Sequence, residues 1–309
     1  MLRYILKRTL YAFITLWVIA TLTFVLMKAL PGDPFHDPKL KPDVKQALME
    51  KYALDRPIIQ QYGIYINHLA HGDFGTSIKF PGRSVTTIIK NSFPKSFALG
   101  WRAMLLASTL GIFFGLIAAL NHEKWIDYIV ILIAIIGVAV PNIVMGPFLS
   151  YNFGVKLGWL PVTVDNTQKS LILPVITLSL GTIAFVSRMM RTTTLEVNGQ
   201  DYILTAKSKG ITKLQIVLRH IIRNAIMPVV TVLGPLFAAI ITGSIVVEKV
   251  FAVAGLGEYF VNTILEQDYP MIMGITIFYA VLIIAAMLIV DIAYSLIDPR
   301  LRSNIGGGD

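Results

Sequence analysis

The sequence has no cysteine. Disulfides, thiolate metal sites, iron–sulfur clusters and a cysteine nucleophile are thereby excluded. Charge is scarce too: 15% of the 309 residues are Asp, Glu, Lys or Arg, against 55% that are hydrophobic. A mean hydropathy of +0.68 leaves too little polar surface to wet a globule of this size, so the chain needs lipid as a solvent. Histidine is sparse, and His36, His68, His71, His122 and His220 all fall in loops between the apolar runs. None stands at a metal-binding spacing such as H-E-x-x-H. The phosphate-cradling pattern G-x-x-x-x-G-K-[ST] is missing as well, so the chain has no recognisable place to hold ATP.

What is present is a series of long apolar runs. A helix that crosses a bilayer needs ~20 mostly apolar residues, and about six stretches meet that requirement. They lie at 9–30, 98–120, 126–151, 171–189, 226–247 and 271–297. This predicts an all-α polytopic membrane protein. Its parts are an amino-terminal segment at 1–8, a first span at 9–30 and a long outer loop with short helices at 31–97. The remaining spans form a core at 98–297, interrupted by a loop at 190–225, and a tail follows at 298–309. The first run follows Arg3, Lys7 and Arg8 as a secretory leader would. Its apolar part is long, however, and Met27-Lys28-Ala29-Leu30-Pro31 offers no small-x-small cleavage site, which predicts a retained anchor.

The net charge of +9 reads, beside so many apolar runs, as Lys and Arg retained on the cytoplasmic side; nucleic acid is not the expected partner. The loop between the fourth and fifth spans carries Arg188, Arg191, Lys207, Lys209, Lys213, Arg219 and Arg223 against Glu196 and Asp201. That loop is expected to be cytoplasmic, together with the amino terminus, the turn with Lys124 and the tail with Arg300 and Arg302. The loop with Glu258, Glu266 and Asp268 then faces out, as does the segment 31–97. The expected location is the cytoplasmic (inner) membrane of a bacterium or archaeon.

Within the outer segment Pro57 opens a helix in which Ile58, Ile59, Tyr62, Ile66 and Leu69 recur at helical spacing, before Gly72 and Gly75 break it. The stripe suits either the outer membrane surface or packing over the loop. Ala107, Gly111, Gly115 and Ala119 recur every fourth residue and give the second span a face that another helix can approach closely. Gly137, Pro141, Gly146 and Pro147 interrupt the third. Broken backbone at membrane depth is tolerated only against protein or water. Pro141 and Asn142 therefore suit a segment lining a pathway, and equally a kink buried in helix packing.

Few charges fall inside the spans. Asp291 is the clearest, and Lys28, Arg102 and Glu248 sit near enough to the interfaces to snorkel. Ion-coupled carriage needs ionisable groups at the midplane, so the energy is expected from outside the chain. Ser108, Ser179 and Ser244 lack a histidine in any span to act as base, which argues against a membrane enzyme.

The stretch Asn198 to Met227 reads as helix, turn, helix. Asp201 suits the positive end of the first helix, and Lys207 and Lys209 suit its last turn. Gly210 can take the left-handed conformation that stops a helix. Thr212 is a good cap for a second helix whose Leu214, Val217, Leu218, Ile221 and Ile222 form an apolar stripe.

The segment from Asp201 to Gly210 resembles the cytoplasmic loop of permease subunits of binding-protein-dependent ABC importers, in particular the peptide and nickel branch. The broad family has Glu and Ala where this sequence has Leu204 and Thr205; Ala206 and Gly210 match, and the peptide and nickel branch usually reads this way. Further matches are MLRYILKR at the start, Leu30 to Pro34 (LPGDP), Leu54 to Pro57 (LDRP), Gly72 to Ser77 (GDFGTS), Val140 to Asn142 (VPN), Lys156 to Pro161 (KLGWLP), Glu248 to Gly257 (EKVFAVAGLG), Asp268 to Pro270 (DYP) and Asp298 to Arg300 (DPR). Their order and spacing are similar to the B-type permease of oligopeptide and dipeptide importers.

The resemblance implies a type I ABC importer permease fold and a non-catalytic subunit that binds no cofactor. A homologous second permease, two ATPase subunits carrying ATP and Mg, and an extracytoplasmic peptide-binding protein would be its partners, with membrane lipid around it and peptide as substrate. It also implies that Asp201, Tyr202, Thr205, Ala206, Lys207, Lys209 and Gly210 couple to the ATPase. Asp73, Phe74, Gly75, Thr76 and Ser77 are candidate contacts for the binding protein. The same signatures fit a nickel or metal-chelate importer.

Overall fold

The computed structural model describes residues 2–29, 35, 42–165, 167–241 and 245–297, with side chains for 6–29, 35, 43–165, 167–241 and 245–289. The stretches 30–34 and 298–300, Ser244, His36 and the side chain of Asp291, all singled out in the sequence, lie outside the described residues. Among the described residues extended pairing amounts to an isolated bridge between Thr76 and Ser84. Everything else regular is helix.

The helices are α1 (Leu2–Ala29), α2 (Pro42–Lys51), α3 (Ile58–Ala70), α4 (Val85–Leu120), α5 (Trp125–Ala139), α6 (Asn142–Leu149), α7 (Ile172–Asn198), α8 (Asp201–Ser208), α9 (Lys213–Ile216), α10 (Ile222–Ile241), α11 (Ile245–Val250), α12 (Leu256–Leu265) and α13 (Tyr269–Ile297). A π-helical turn at Ser150–Lys156 continues α6, and another at Val217–Ile221 joins α9 to α10. Among the described residues 5 helices are long and apolar enough to cross a membrane: Leu6–Ala29, Val85–Leu120, Gln168–Asn198, Lys213–Ile241 and Tyr269–Ile289. The pair Trp125–Ala139 and Asn142–Lys156, bent by 106°, makes a sixth if it is one span.

Several boundaries differ from the sequence reading. Helix α1 starts at Leu2, so Lys7 and Arg8, read as part of a segment before the span, lie in its first turns. Helix α4 begins at Val85, well before the predicted 98, because Pro94 and the polar residues around it do not stop it. At 1.5 Å per residue its 36 residues run about 54 Å, longer than the ~30 Å hydrocarbon layer. The third span is two helices, because Pro141 cannot donate its amide and pushes Val140 into extended backbone. Helix α7 continues to Asn198, which shortens the loop expected at 190–225 to the residues around α8 and α9.

The described residues form two compact units. One comprises the chain up to Pro94 and Gly255–Ala285; the other comprises Lys95–Ala254 and the end of α13. In the first, Val85, Ile88, Ile89, Leu256, Met271 and Ile275 form the core. Helix α3 packs on α1 through Tyr62 and Tyr65 against Phe24, and the hydroxyls of Thr21 and Tyr62 lie 2.7 Å apart. Tyr62 of the predicted stripe thus packs on α1, while Ile58 and Ile59 stay exposed. In the second unit Leu99, Ala103, Leu173, Ile240, Val247 and Phe251 centre the core. The small-residue face of α4 works as expected there: a Cβ on Gly111 would stand 2.7 Å from Val186, and one on Gly115 would collide with the Ser187 carbonyl oxygen of α7.

Candidate functional site

The segment after α7 is built as a short projecting element. Gly199 and Gln200 close α7 and place Gln200 as the extended N-cap of α8. Asp201 follows in the first turn, where its charge meets the positive end of the helix dipole. Two residues of α8 point inward, Ile203 at 0% exposure and Ala206 at 5%. They join Ile216, Val217 and Ile221 in one apolar cluster, with Leu116, Leu120, Val197 and Ile211 packed against it. Asp201, Tyr202, Leu204, Thr205, Lys207 and Lys209 face solvent. One face is therefore held by the protein, and the opposite face is open, mixed apolar and basic.

The end of α8 is a Schellman turn. Gly210 has φ +74°, its amide donates to the Lys207 carbonyl at 3.0 Å, and the Ile211 amide donates to the Ala206 carbonyl at 3.3 Å. A Cβ on Gly210 would meet nothing within 4 Å, so the requirement for glycine comes from the backbone and not from crowding.

The second helix departs from expectation. Thr212 occupies the N-cap but makes no capping hydrogen bond, and Leu214 and Leu218 are exposed. The buried stripe is Ile216, Val217 and Ile221, because the π-turn at Val217–Ile221 rotates the register that an unbroken 3.6-residue repeat would keep. His220 lies in this turn and His68 in α3, so neither is in a loop.

Sequence reading missed an ionic cluster that joins the α4–α5 turn to α7. Asp127, in the first turn of α5, has 1% side-chain exposure and pairs bidentately with Arg191 of α7: Nε to Oδ1 at 2.6 Å and Nη2 to Oδ2 at 2.7 Å. The amide of Glu123 donates to Asp127 Oδ2 at 3.1 Å, and His122 Nδ1 lies 3.2 Å from both Asp127 Oδ2 and Arg191 Nη2. The only forewarning was that Asp127 and Arg191 sit at opposite ends of apolar runs, which does not say that they meet.

Pro141 is exposed and Asn142 partly so, at the bend between α5 and α6; the Pro141 carbonyl accepts from Val144 at 2.9 Å and Met145 at 3.0 Å. Glu248 corrects the expectation that it snorkels. It is fully buried and accepts from the Ser96 hydroxyl at 2.7 Å. Arg102 does reach outward, donating to the Ala98 carbonyl at 2.9 Å and to Gln168 at 3.1 Å. Lys28 sits 5.8 Å from the ring centres of both Phe24 and Tyr269.

The candidate binding-protein segment folds as a tight turn. Gly75 has φ +81°, and its amide donates to Asp73 Oδ1 at 2.8 Å. That bond, with His68 Nδ1 at 2.8 Å from Oδ2, holds the Asp73 carboxyl below the usual carboxylate range. Asp73 and Thr76 are exposed, and Phe74 and Gly75 are half-buried. Ser77 is different: it is fully buried, its hydroxyl donates to Asp268, and it therefore presents nothing to a partner. Asp268, expected on an outward-facing acidic loop, is likewise fully buried. It also accepts from the amides of Ile78 and Lys79 at 3.1 Å and caps α13 through Met271 at 3.3 Å. A cavity of about 330 Å³ opens beside this turn, lined by Phe24, Lys28, Tyr52, Tyr65, Phe74 and Tyr269. Burial raises the Tyr65 phenol above its ordinary range.

Comparison with known proteins gives a consistent picture. Residues 111–303 match the family described as "Binding-protein-dependent transport system inner membrane component", and residues 1–100 match its N-terminal counterpart. The chain is 43% identical over 303 residues to the dipeptide transport system permease protein DppB of Bacillus subtilis, covering 98% of each. It is 41% identical over 306 residues to the oligopeptide transport system permease protein OppB of Escherichia coli, covering 98% of this chain and 100% of that one. A chain of the MetNI methionine ABC transporter, solved in inward-facing conformations, superposes with a TM-score of 0.57 at 16% identity over 69% of this chain and 97% of its own. That likeness concerns the fold alone.

Proposed function

Since the chain belongs to the family of binding-protein-dependent transport system inner membrane components, we propose that it is the permease subunit of an ATP-driven importer of dipeptides or oligopeptides. It is a multi-pass protein of the inner membrane, and its relatives carry the names of dipeptide and oligopeptide permeases. The proposed orientation puts α8 and both termini in the cytoplasm and the segment from α2 to the start of α4 outside, following the Lys and Arg excess around α8.

The observation that carries the mechanism is the two-faced build of α8. Ile203 and Ala206 anchor it to the permease, while Asp201, Tyr202, Thr205, Lys207 and Lys209 are left for a partner. One of two ATPase subunits, which hold ATP and Mg, grips this face; the chain itself binds no cofactor and performs no catalysis. Gly210 gives the helix a sharp end, so that a push on α8 moves the following turn as a rigid piece. A homologous permease completes the pathway, with the bend at Pro141 and Asn142 along it, and an extracytoplasmic binding protein delivers peptide near Asp73 and Thr76. Specificity then rests mainly on the binding protein, because the spans offer few fixed charges that could sort peptide side chains.

Uptake of radiolabelled di- and oligopeptides by vesicles holding the whole complex tests this reading. ATP-dependent accumulation of peptide is expected. Accumulation of nickel in place of peptide, or transport by this chain without ATPase subunits, would overturn it.

A further inference from the structure

Resting on that reading, we propose that Asp127 and Arg191 form a transmission clamp that passes movement of α8 to α5, and so to the bend at Pro141. Arg191 lies in the last turns of α7, which leads into α8 through Gly199 and Gln200 alone. At the same level α7 is pressed against α4, where a Cβ on Gly115 would stand 2.7 Å from Met190 Cβ and 3.0 Å from the Arg191 amide nitrogen. Glycine packing holds α4 by contact, but contact alone allows two helices to slide. The Arg191 fork adds direction, because two parallel N–H···O bonds to one carboxylate fix both distance and orientation.

The carboxylate end is equally well held. Asp127 receives the Glu123 amide, and Glu123 has φ +62°, an unfavourable conformation for a residue with a side chain. The α4–α5 turn is thus wound tightly around Asp127, and His122 of the same turn closes on both partners. A single buried carboxylate ties the turn, the start of α5 and the end of α7 into one body. Helix α5 then runs from this clamp to Ala139, next to the break at Val140 and Pro141. An ion pair with one buried partner does not contribute stability in proportion to its Coulomb energy, since desolvating the Asp127 carboxylate offsets much of it. Stiff geometry is what it contributes here.

The test uses the complete complex with its ATPases, second permease and binding protein, and reads peptide uptake and ATP hydrolysis together. Arg191→Lys keeps the charge and loses the fork; Asp127→Asn keeps the shape and loses the charge. For both variants uptake per ATP is expected to fall about tenfold, within the range of inter-site coupling, while hydrolysis persists. Unchanged uptake per ATP in the single variants overturns the clamp. So does a parallel loss of both activities in Arg191→Lys, since that marks a merely structural role. Failure of the unaltered complex to import peptide would instead overturn the functional reading on which the clamp rests.

Discussion

Two residues show how much one position can decide. At Gly210 the φ of +74° is a conformation that costs a residue with a Cβ roughly 1–2 kcal/mol, and a β-branched one more. Space is not the limit there. Gly210→Val should therefore distort the end of α8 and lower peptide uptake in vesicles, whereas Gly210→Asn, which tolerates the left-handed region, should stay close to the parent. Equal loss in both would mean that the residue touches a partner. Asp268 acts through satisfaction of buried donors. Its carboxylate serves the Ser77 hydroxyl and the amides of Ile78, Lys79 and Met271. Asp268→Ala leaves these unpaired, at about 1–3 kcal/mol for each group that finds no water. Limited proteolysis of the purified protein should then cut between 72 and 84 at rates the parent does not show.

At the scale of elements, α8 and the third span enter the proposed mechanism in different ways. Helix α8 has 8 residues, too short to persist alone in water, so its shape depends on the cluster under Ile203 and Ala206. Ile203→Asp should lose the folded element and the protein yield with it. Leu204→Ala, on the exposed face, should leave the thermal unfolding temperature of the detergent-purified permease within a degree or two while weakening its co-purification with the ATPase subunits. Unchanged co-purification would move the gripped surface away from α8. The third span was legible as broken from Gly137, Pro141, Gly146 and Pro147, but not as a bend of 106°. Proline removes a donor wherever it stands; how far the chain turns afterwards depends on what receives α6, here α7 and α11.

For the whole molecule the central expectation is sidedness. With no native cysteine, single-cysteine variants can be labelled without background. A membrane-impermeant maleimide added to intact cells should modify Glu266→Cys and spare Lys207→Cys until the membrane is opened. Labelling of Lys207→Cys from outside would put α8 beyond the reach of any nucleotide-driven partner.

The all-helical class, the placing of most apolar helices and the end of α8 at Gly210 were all present in the order of residues. Each rests on short-range physics: the length and periodicity of apolar runs against bilayer thickness, and the φ freedom of glycine. The buried Glu248 and Asp268, the π-turn that swings Leu214 and Leu218 outward, and the Asp127–Arg191 pair came only with the tertiary structure. A carboxylate's hydropathy is the same wherever it stands. Whether it snorkels, caps a helix or clamps one helix to another depends on which distant donors the fold brings within 3 Å of it.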